Sequence, residues 1–326
     1  MNSDKKIAVV LFQLGGPDSL EAVEPFLYNL FCDPDIIDFP GAFLARKPLA
    51  KFISSKRSPK VAAHYKEIGG KSPILELTIA QAKALEKELN NHCKAKVFIA
   101  MRYWHPLTEA AIMEMRKEQF SNIILLPLYP QHSTTTTGSS LNEWKRQCAA
   151  LNYKNERHEL IHHYHDHPLY IEAIVENINR TYSKFSHLNP AEIDLLFSAH
   201  GVPVSIIKKG DLYQAHIEET VKLVVKKGGW NSPHVLCYQS KVGPAEWLKP
   251  SIQNTIHDLT MKGRKHLLVI PIAFVTEHIE TLHEINIEIR EEAEHLGITQ
   301  FEMMPALNDS PKFISCLTDV VMKRVQ

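Results

Sequence analysis

A chain of 326 residues, 44% hydrophobic and without low-complexity runs, exceeds one ordinary core and is too apolar for disorder, leaving two domains or one large α/β unit. Its 37 basic and 37 acidic residues cancel, which removes the broad positive field that a non-specific nucleic-acid binder needs. Cys32, Cys93, Cys148, Cys237 and Cys316 lie far apart with no C-x-x-C pair, so they read as reduced thiols rather than a zinc, dithiol or iron–sulfur seat.

In chain order, Asp4, Lys5 and Lys6 lead into an apolar run at 7–14. That run is too short for a membrane span and lacks a signal-peptide cleavage pattern, so a cytoplasmic location is expected. An apolar stretch at 39–52 follows, broken by Pro40, Gly41 and Pro48, and after it Lys56, Arg57 and Lys60 bracket Ser58-Pro59. Short apolar runs at 97–101 and 123–128 read as strands, with helical spacing over 106–119 between them. Residues 131–138 form a hydroxyl-rich loop that lacks the Gly-Lys-Ser/Thr ending of a phosphate-binding loop. A strand at 160–164 closes the first sheet. His162, His163, His165 and His167 match no standard zinc spacing and sit in a strand-to-helix turn, where Asp166 and Pro168 suit a helix start. Strands at 193–198, 234–238, 266–272 and 301–304 complete the second half.

This rhythm predicts an α/β protein of two similar Rossmann-like domains, each a parallel sheet flanked by helices, with the active-site cleft between them. The expected domains are 1–165 and 166–310, with a C-terminal helix at 311–326 packing back across both. The runs 11–17 and 196–203 both take a strand into a Gly/Pro turn, and 124–129 and 267–274 occupy matching third-strand positions, consistent with duplication.

The reactive residue types cluster where strands should end. His200 closes an apolar strand before Gly201, placed either to accept protons or bind metal, or to serve the structure alone. Glu277, Glu280, Glu284 and Glu288 fall three and four apart and line one face of a helix, with Ile279, Leu282, Ile285 and Ile289 opposite. The stripe is either the wet face of an amphipathic helix or a row of oxygen ligands for a divalent ion such as Fe²⁺. Lys56, Arg57 and Lys60 form either a solvated turn or a clamp for ligand carboxylates. The apolar stretch before them, with Phe43, Leu44, Leu49, Phe52 and Ile53, is core, a lip over a flat ligand, or a membrane-touching patch.

Taken together, the motifs at 14–17 (Leu-Gly-Gly-Pro), 68–74 (Ile-Gly-Gly-Lys-Ser-Pro-Ile), 102–107 (Arg-Tyr-Trp-His-Pro-Leu), 129–131 (Tyr-Pro-Gln), 198–201 (Ser-Ala-His-Gly), 239–244 (Gln-Ser-Lys-Val-Gly-Pro) and 278–282 (His-Ile-Glu-Thr-Leu) resemble the ferrochelatase family from Val9 to the final helix. The resemblance implies a lyase that inserts Fe²⁺ into protoporphyrin IX to form protohaem, the last step of haem biosynthesis. It implies that His200 and Glu280 are the catalytic and metal-binding pair, facing each other across the porphyrin, with Glu277, Glu284 and Glu288 as a metal relay. It assigns Arg57, Lys60 and Ser240 to the propionates, Leu14, Tyr65 and Ser72 to the surroundings of the macrocycle, and Arg102 and Tyr103 to the pocket wall.

The partners implied are porphyrin and ferrous iron as substrates, with no nucleic acid and no tightly bound cofactor. A peripheral contact with the inner face of the membrane and a monomeric or homodimeric state both remain open. Thr134 stands where cluster-bearing relatives carry a mid-chain cysteine, and the chain stops at Gln326 without their extension, so no [2Fe–2S] cluster is expected. Rival readings are a chelatase for another ring or metal (coproporphyrin III, sirohydrochlorin, cobalt) and a two-lobed binding protein that only captures its ligand.

Overall fold

The computed structural model describes residues 6–36, 42–154, 158–240 and 245–325, with the backbone alone for 42–44. The chain divides into two compact units, Met1–His163 with Ile314–Gln326, and Tyr164–Phe313.

In the first unit, β1 (Lys6–Gln13), β2 (Lys94–Met101), β3 (Asn122–Pro127) and β4 (His158–Leu160) form a parallel sheet in the order β2-β1-β3-β4. Seven of the eight residues of β1 are buried, as expected of a central parallel strand covered on both faces. Ala8, Val10 and Phe12 pack on Trp144 and Ile112. The helices of this unit are α1 (Val23–Phe31), α2 (Ala42–Glu67), α3 (Ile74–Leu89), α4 (Thr108–Met115) and α5 (Ser139–Ala150). A π-helical turn, Thr134–Gly138, precedes α5 and is capped by the Ser133 hydroxyl, which accepts from the Thr135 N–H at 3.2 Å.

The second unit repeats the plan. β5 (Ile193–His200), β6 (His234–Gln239), β7 (His266–Pro271) and β8 (Gln300–Met303) are all parallel, in the order β6-β5-β7-β8. Its helices are α6 (Pro168–Tyr182), α7 (Val204–Lys208), α8 (Tyr213–Gly228), α9 (Ile252–Met261), α10 (Arg290–His295) and the start of α11 (Pro311–Val325). A ten-residue π-helix, Glu280–Ile289, follows β7 at the station that Thr134–Gly138 holds after β3. Ile285 and Ile289 anchor it in a core with Leu196, Cys237, Val269 and Phe301.

Three expectations change. The break at 39–52 and the turn around Ser58-Pro59 give way to α2, which runs through Pro48 and Pro59. Each proline forfeits one helical N–H bond, and contact with α1 along the helix outweighs that loss. Phe39, Pro40 and Gly41, and the side chains of Phe43 and Leu44, lie outside the described residues, as do Lys241, Val242, Gly243 and Pro244. The strand expected at 160–164 is the shorter β4, paired to β3 through Ile123 and His158. The helix expected over 106–119 shrinks to α4, whose apolar positions Ala111, Ile112 and Met115 face the core.

Because Ile285 is fully buried beneath the π-helix, Ile285→Ala should cost about 2–5 kcal/mol, measured as a lowered urea-unfolding midpoint.

Candidate active site

β5 ends on His200 and β6 on Gln239, paired in register at the carboxyl edge of the second sheet. β7 leaves that edge on the other side of β5, so the strand order reverses beside His200, where open α/β sheets form a ligand crevice. Glycine follows at 201 for want of room. A Cβ there would stand 2.8 Å from the Gln239 carbonyl oxygen and 3.2 Å from the Trp247 ring.

The backbone orients the imidazole of His200. Its Nδ1 donates to the Gly201 carbonyl oxygen at 2.6 Å, and the Tyr213 hydroxyl donates to the carbonyl of His200 at 3.0 Å. A carbonyl oxygen only accepts, so Nδ1 carries a proton and Nε2 is left to face a partner. That partner is Glu280, with Oε1 3.4 Å from Nε2. The other carboxylate oxygen, Oε2, lies 3.2 Å from Nε2 of His278, whose Nδ1 donates to the Thr276 carbonyl oxygen at 3.0 Å. Phe274 stands against both rings, 6.5 Å from His200 and 4.7 Å from His278 between centroids.

A macrocycle touching both groups would hold them roughly 7 Å apart, twice a van der Waals contact, whereas His200 and Glu280 meet directly at 3.4 Å. Both arise from one edge of one sheet, and opposite charge closes the gap. Burial works to lower the His200 pKa, but the carboxylate of Glu280, helped by Glu284 and the Gly201 carbonyl, raises it to about 9. Burial likewise works to raise the Glu280 carboxyl, but His200 and His278 outweigh it and hold it well below the ordinary carboxylate range. At neutral pH the pair is imidazolium and carboxylate.

The acidic stripe is shorter than its spacing predicts. Glu280, Glu284 and Glu288 lie in the π-helix, but Glu277 precedes it and is buried. Its Oε1 accepts from the Ala306 N–H at 2.7 Å and its Oε2 from the Thr281 hydroxyl, so it pins the helix start instead of extending the row. Glu284 accepts from the Ser240 hydroxyl at 2.6 Å, and Ser240 takes φ of +64°. Burial and the neighbouring charge of Glu280 raise the Glu284 carboxyl. Glu288, the most exposed of the three, lies 3.6 Å from Nδ1 of His283. The five-residue step between them is the hydrogen-bond interval of a π-helix.

In the first unit, Arg102 and Tyr103 converge on a residue the motif reading passed over, Asp33. Its Oδ2 accepts from the Tyr103 hydroxyl at 2.6 Å and the Ser139 hydroxyl at 2.5 Å, and lies 2.9 Å from the Arg102 guanidinium. Burial works to raise the Asp33 carboxyl, but Arg102, Ser139 and Tyr103 together hold it below its ordinary value. Tyr103 is fully buried, so this is a structural knot with Arg102 at its margin. Tyr65 and Ser72 are also buried, and Ser72 packs where a side chain on Gly16 would collide with its hydroxyl. Leu14 is half-buried, with its carbonyl accepting from the Tyr103 N–H at 3.0 Å. Arg57 and Lys60 are exposed on α2, Arg57 with its guanidinium 5.6 Å from the Phe31 ring.

Sequence reasoning quoted His278 and Gln239 within motifs but assigned them no role. Their signal was position: His278 two residues before Glu280, Gln239 a polar end to an apolar strand. In the histidine-rich turn, His165 stacks on His216 at 3.8 Å and 10°, with its Nε2 2.9 Å from Glu219. One ligand atom from each of His163, His165 and His216 lies within 4.8 Å of the others.

A family profile described as Ferrochelatase matches residues 6–325. A ferrochelatase of Geotalea uraniireducens is 49% identical, covering 98% of this chain and 98% of its own length. One of Aquifex aeolicus is 48% identical, covering 98% and 100%, and one of Geotalea daltonii 47%, covering 97% of each. Among solved structures, SirB from Bacillus subtilis with Fe³⁺ superposes with a TM-score of 0.56 at 11% identity, covering 98% of this chain and 95% of that one. CbiX, described as the terminal enzyme for biosynthesis of sirohaem in denitrifying bacteria, gives 0.53 at 10%, covering 99% and 100%. At such identities the structural likeness is one of fold alone.

The imidazole of His200, followed by NMR in the protein without substrates, should titrate near 9, and in Glu280→Gln fall back toward about 6.5. A raised folded pKa contributes stability below the unfolded pKa that is lost as pH climbs. The stability difference between the native protein and Glu280→Gln should therefore narrow as pH rises through about 9. An unchanged His200 titration in Glu280→Gln would rule out the carboxylate as its cause.

Proposed function

The chain belongs to the ferrochelatase family, and from that premise we propose that it inserts Fe²⁺ into protoporphyrin IX with His200 and Glu280 acting together from one side of the ring. The observation that carries the reading is the 3.4 Å contact between Nε2 and a carboxylate oxygen, a nitrogen and oxygen donor set suited to ferrous iron. Iron takes the place of the proton between the two groups, and that proton leaves. As the metal passes to the pyrrole nitrogens the ring sheds two protons. One returns to Nε2 of His200 and the other leaves through the carboxylates, so each turnover releases two protons and the pair is restored.

Because Nδ1 stays bonded to the Gly201 carbonyl throughout, His200 changes partner without changing orientation. Glu284 and Glu288 continue one face of the helix away from Glu280 at four-residue intervals, an oxygen-lined approach for a hydrated cation. Glu277 drops out of this relay, and its role is to hold the helix start. Arg57 and Lys60 supply positive charge for the propionates; Ser240 is proposed to support Glu284 in addition to its expected propionate contact.

We further assign α2 a peripheral membrane contact. Phe52 and Leu49 are 58% and 37% exposed, and Lys56 and Lys60 continue the same helical face, Lys56 with its ammonium 5.0 Å from the Phe52 ring. Exposed apolar side chains flanked by lysines suit an anionic bilayer interface. No helix among the described residues is long and apolar enough to cross a membrane.

An anaerobic spectrophotometric assay with Fe²⁺ tests the assignment, with protoporphyrin and coproporphyrin in parallel arms. Protoporphyrin should turn over faster; a clear preference for the other ring would move the substrate assignment. His200→Ala should abolish insertion while the circular dichroism stays native, and Glu280→Gln should cut turnover by about 10²–10⁴-fold with a smaller effect on porphyrin affinity. The clamp fails if Arg57→Ala binds porphyrin as tightly as the native protein. In co-sedimentation with anionic vesicles, Phe52→Glu should lose binding that the native protein shows, and absence of native binding would discard the membrane contact.

A further inference from the structure

Of the buried polar groups beside the reactive pair, the amide of Gln239 has the most specific set of partners. It is 2% exposed and sits opposite His200 in the β5–β6 register. Its Oε1 accepts from the Ser198 hydroxyl at 2.7 Å, two residues before His200 on β5, and its Nε2 donates to the main-chain carbonyl of Glu280 at 3.3 Å. Its own carbonyl accepts from the Gly201 N–H at 2.8 Å, the residue whose carbonyl holds His200 Nδ1. One side chain therefore touches the strand that delivers the imidazole and the first residue of the helix that delivers the carboxylate.

We propose that Gln239 is a positioning residue that sets the register of the Glu280 carboxylate against His200. The inference rests on the reading of His200 and Glu280 given above. An amide suits this place because one end must accept and the other donate. The Glu280 carbonyl, which only accepts, fixes which end is which, and with both bonds made the Glu280 backbone is tied to the sheet. A hydrocarbon of the same length fills the space but leaves the Glu280 carbonyl without this donor. Glutamate accepts from Ser198 but turns an oxygen toward the Glu280 carbonyl. Neither substitution touches a reacting atom, and each breaks the bond to the Glu280 carbonyl, so the proposed effect reaches chemistry through Glu280.

The test is a double-mutant cycle in the full-length chain, by steady-state anaerobic assay with Fe²⁺ and porphyrin. Gln239→Met alone should lower kcat about tenfold to hundredfold while the porphyrin KM stays within about twofold, and Gln239→Glu should not rescue it. In a Glu280→Gln background, Gln239→Met should produce no further loss beyond about twofold. Equal fractional losses in both backgrounds would overturn the proposal, since Gln239 would then act independently of Glu280. Should Gln239→Met not fold, Ser198→Ala, which removes only the donor to the amide, is carried through the same cycle and decides by the same criterion. A fully active Glu280→Gln protein would instead remove the reading of the site itself, an outcome distinct from multiplicative losses.

Discussion

A carboxylate caught between two imidazoles, each with its other nitrogen bonded to a main-chain carbonyl, has little freedom left. That is the condition of Glu280 between His200 and His278. The carbonyls of Gly201 and Thr276 decide which ring nitrogens face inward, and the backbone decides where those carbonyls are. The parallel sheet thus reaches the chemistry through hydrogen bonds rather than through the reactive groups alone. Its cost is a pair of opposite charges held in partial burial, and the attraction between them across 3.4 Å shifts both titrations in the sense that keeps them charged.

The π-helix makes that arrangement possible at the other end. A buried row of Thr281, Ile285 and Ile289 at four-residue steps faces the protein, and Glu280, Glu284 and Glu288 at the same steps run beside it. The apolar row supplies burial to hold the helix, while the acidic row stays half in water. Packing of one row therefore fixes the spacing of the other. Glu277, bonded to the Ala306 N–H and the Thr281 hydroxyl, closes the first turn from outside.

The strands were readable because parallel strands buried on both faces leave continuous apolar runs, and the runs at 7–14, 193–198 and 266–272 lie within two residues of β1, β5 and β7. Proline misled at α2, since local propensity says nothing of contacts made by the rest of a helix with its neighbour. The acidic spacing misled at Glu277 for a related reason: a three-residue step looks helical whether or not the helix has begun. His200 and Glu280 were legible as residue types at strand and helix ends, but their direct contact was not, because no sequence pattern encodes a distance between segments eighty residues apart in the chain. Gln239 and Asp33 were missed because neutral amides and lone acids acquire meaning only from partners such as Ser198 and Arg102.

The two sheets share one strand order, and the third strand of each runs on to a π-helical segment. At the station where β5 ends on His200, β1 ends on Gln13, whose side-chain oxygen accepts from the Leu14 N–H at 3.0 Å. Where the second unit carries glutamates after its third strand, the first carries threonines. Architecture and reactivity thus separate between two halves of one plan: the second unit sets a histidine and glutamates at the stations where the first sets a glutamine and threonines. Such a division of labour leaves the first edge to be shaped by fit, while the second is constrained by the placement of its protons as well.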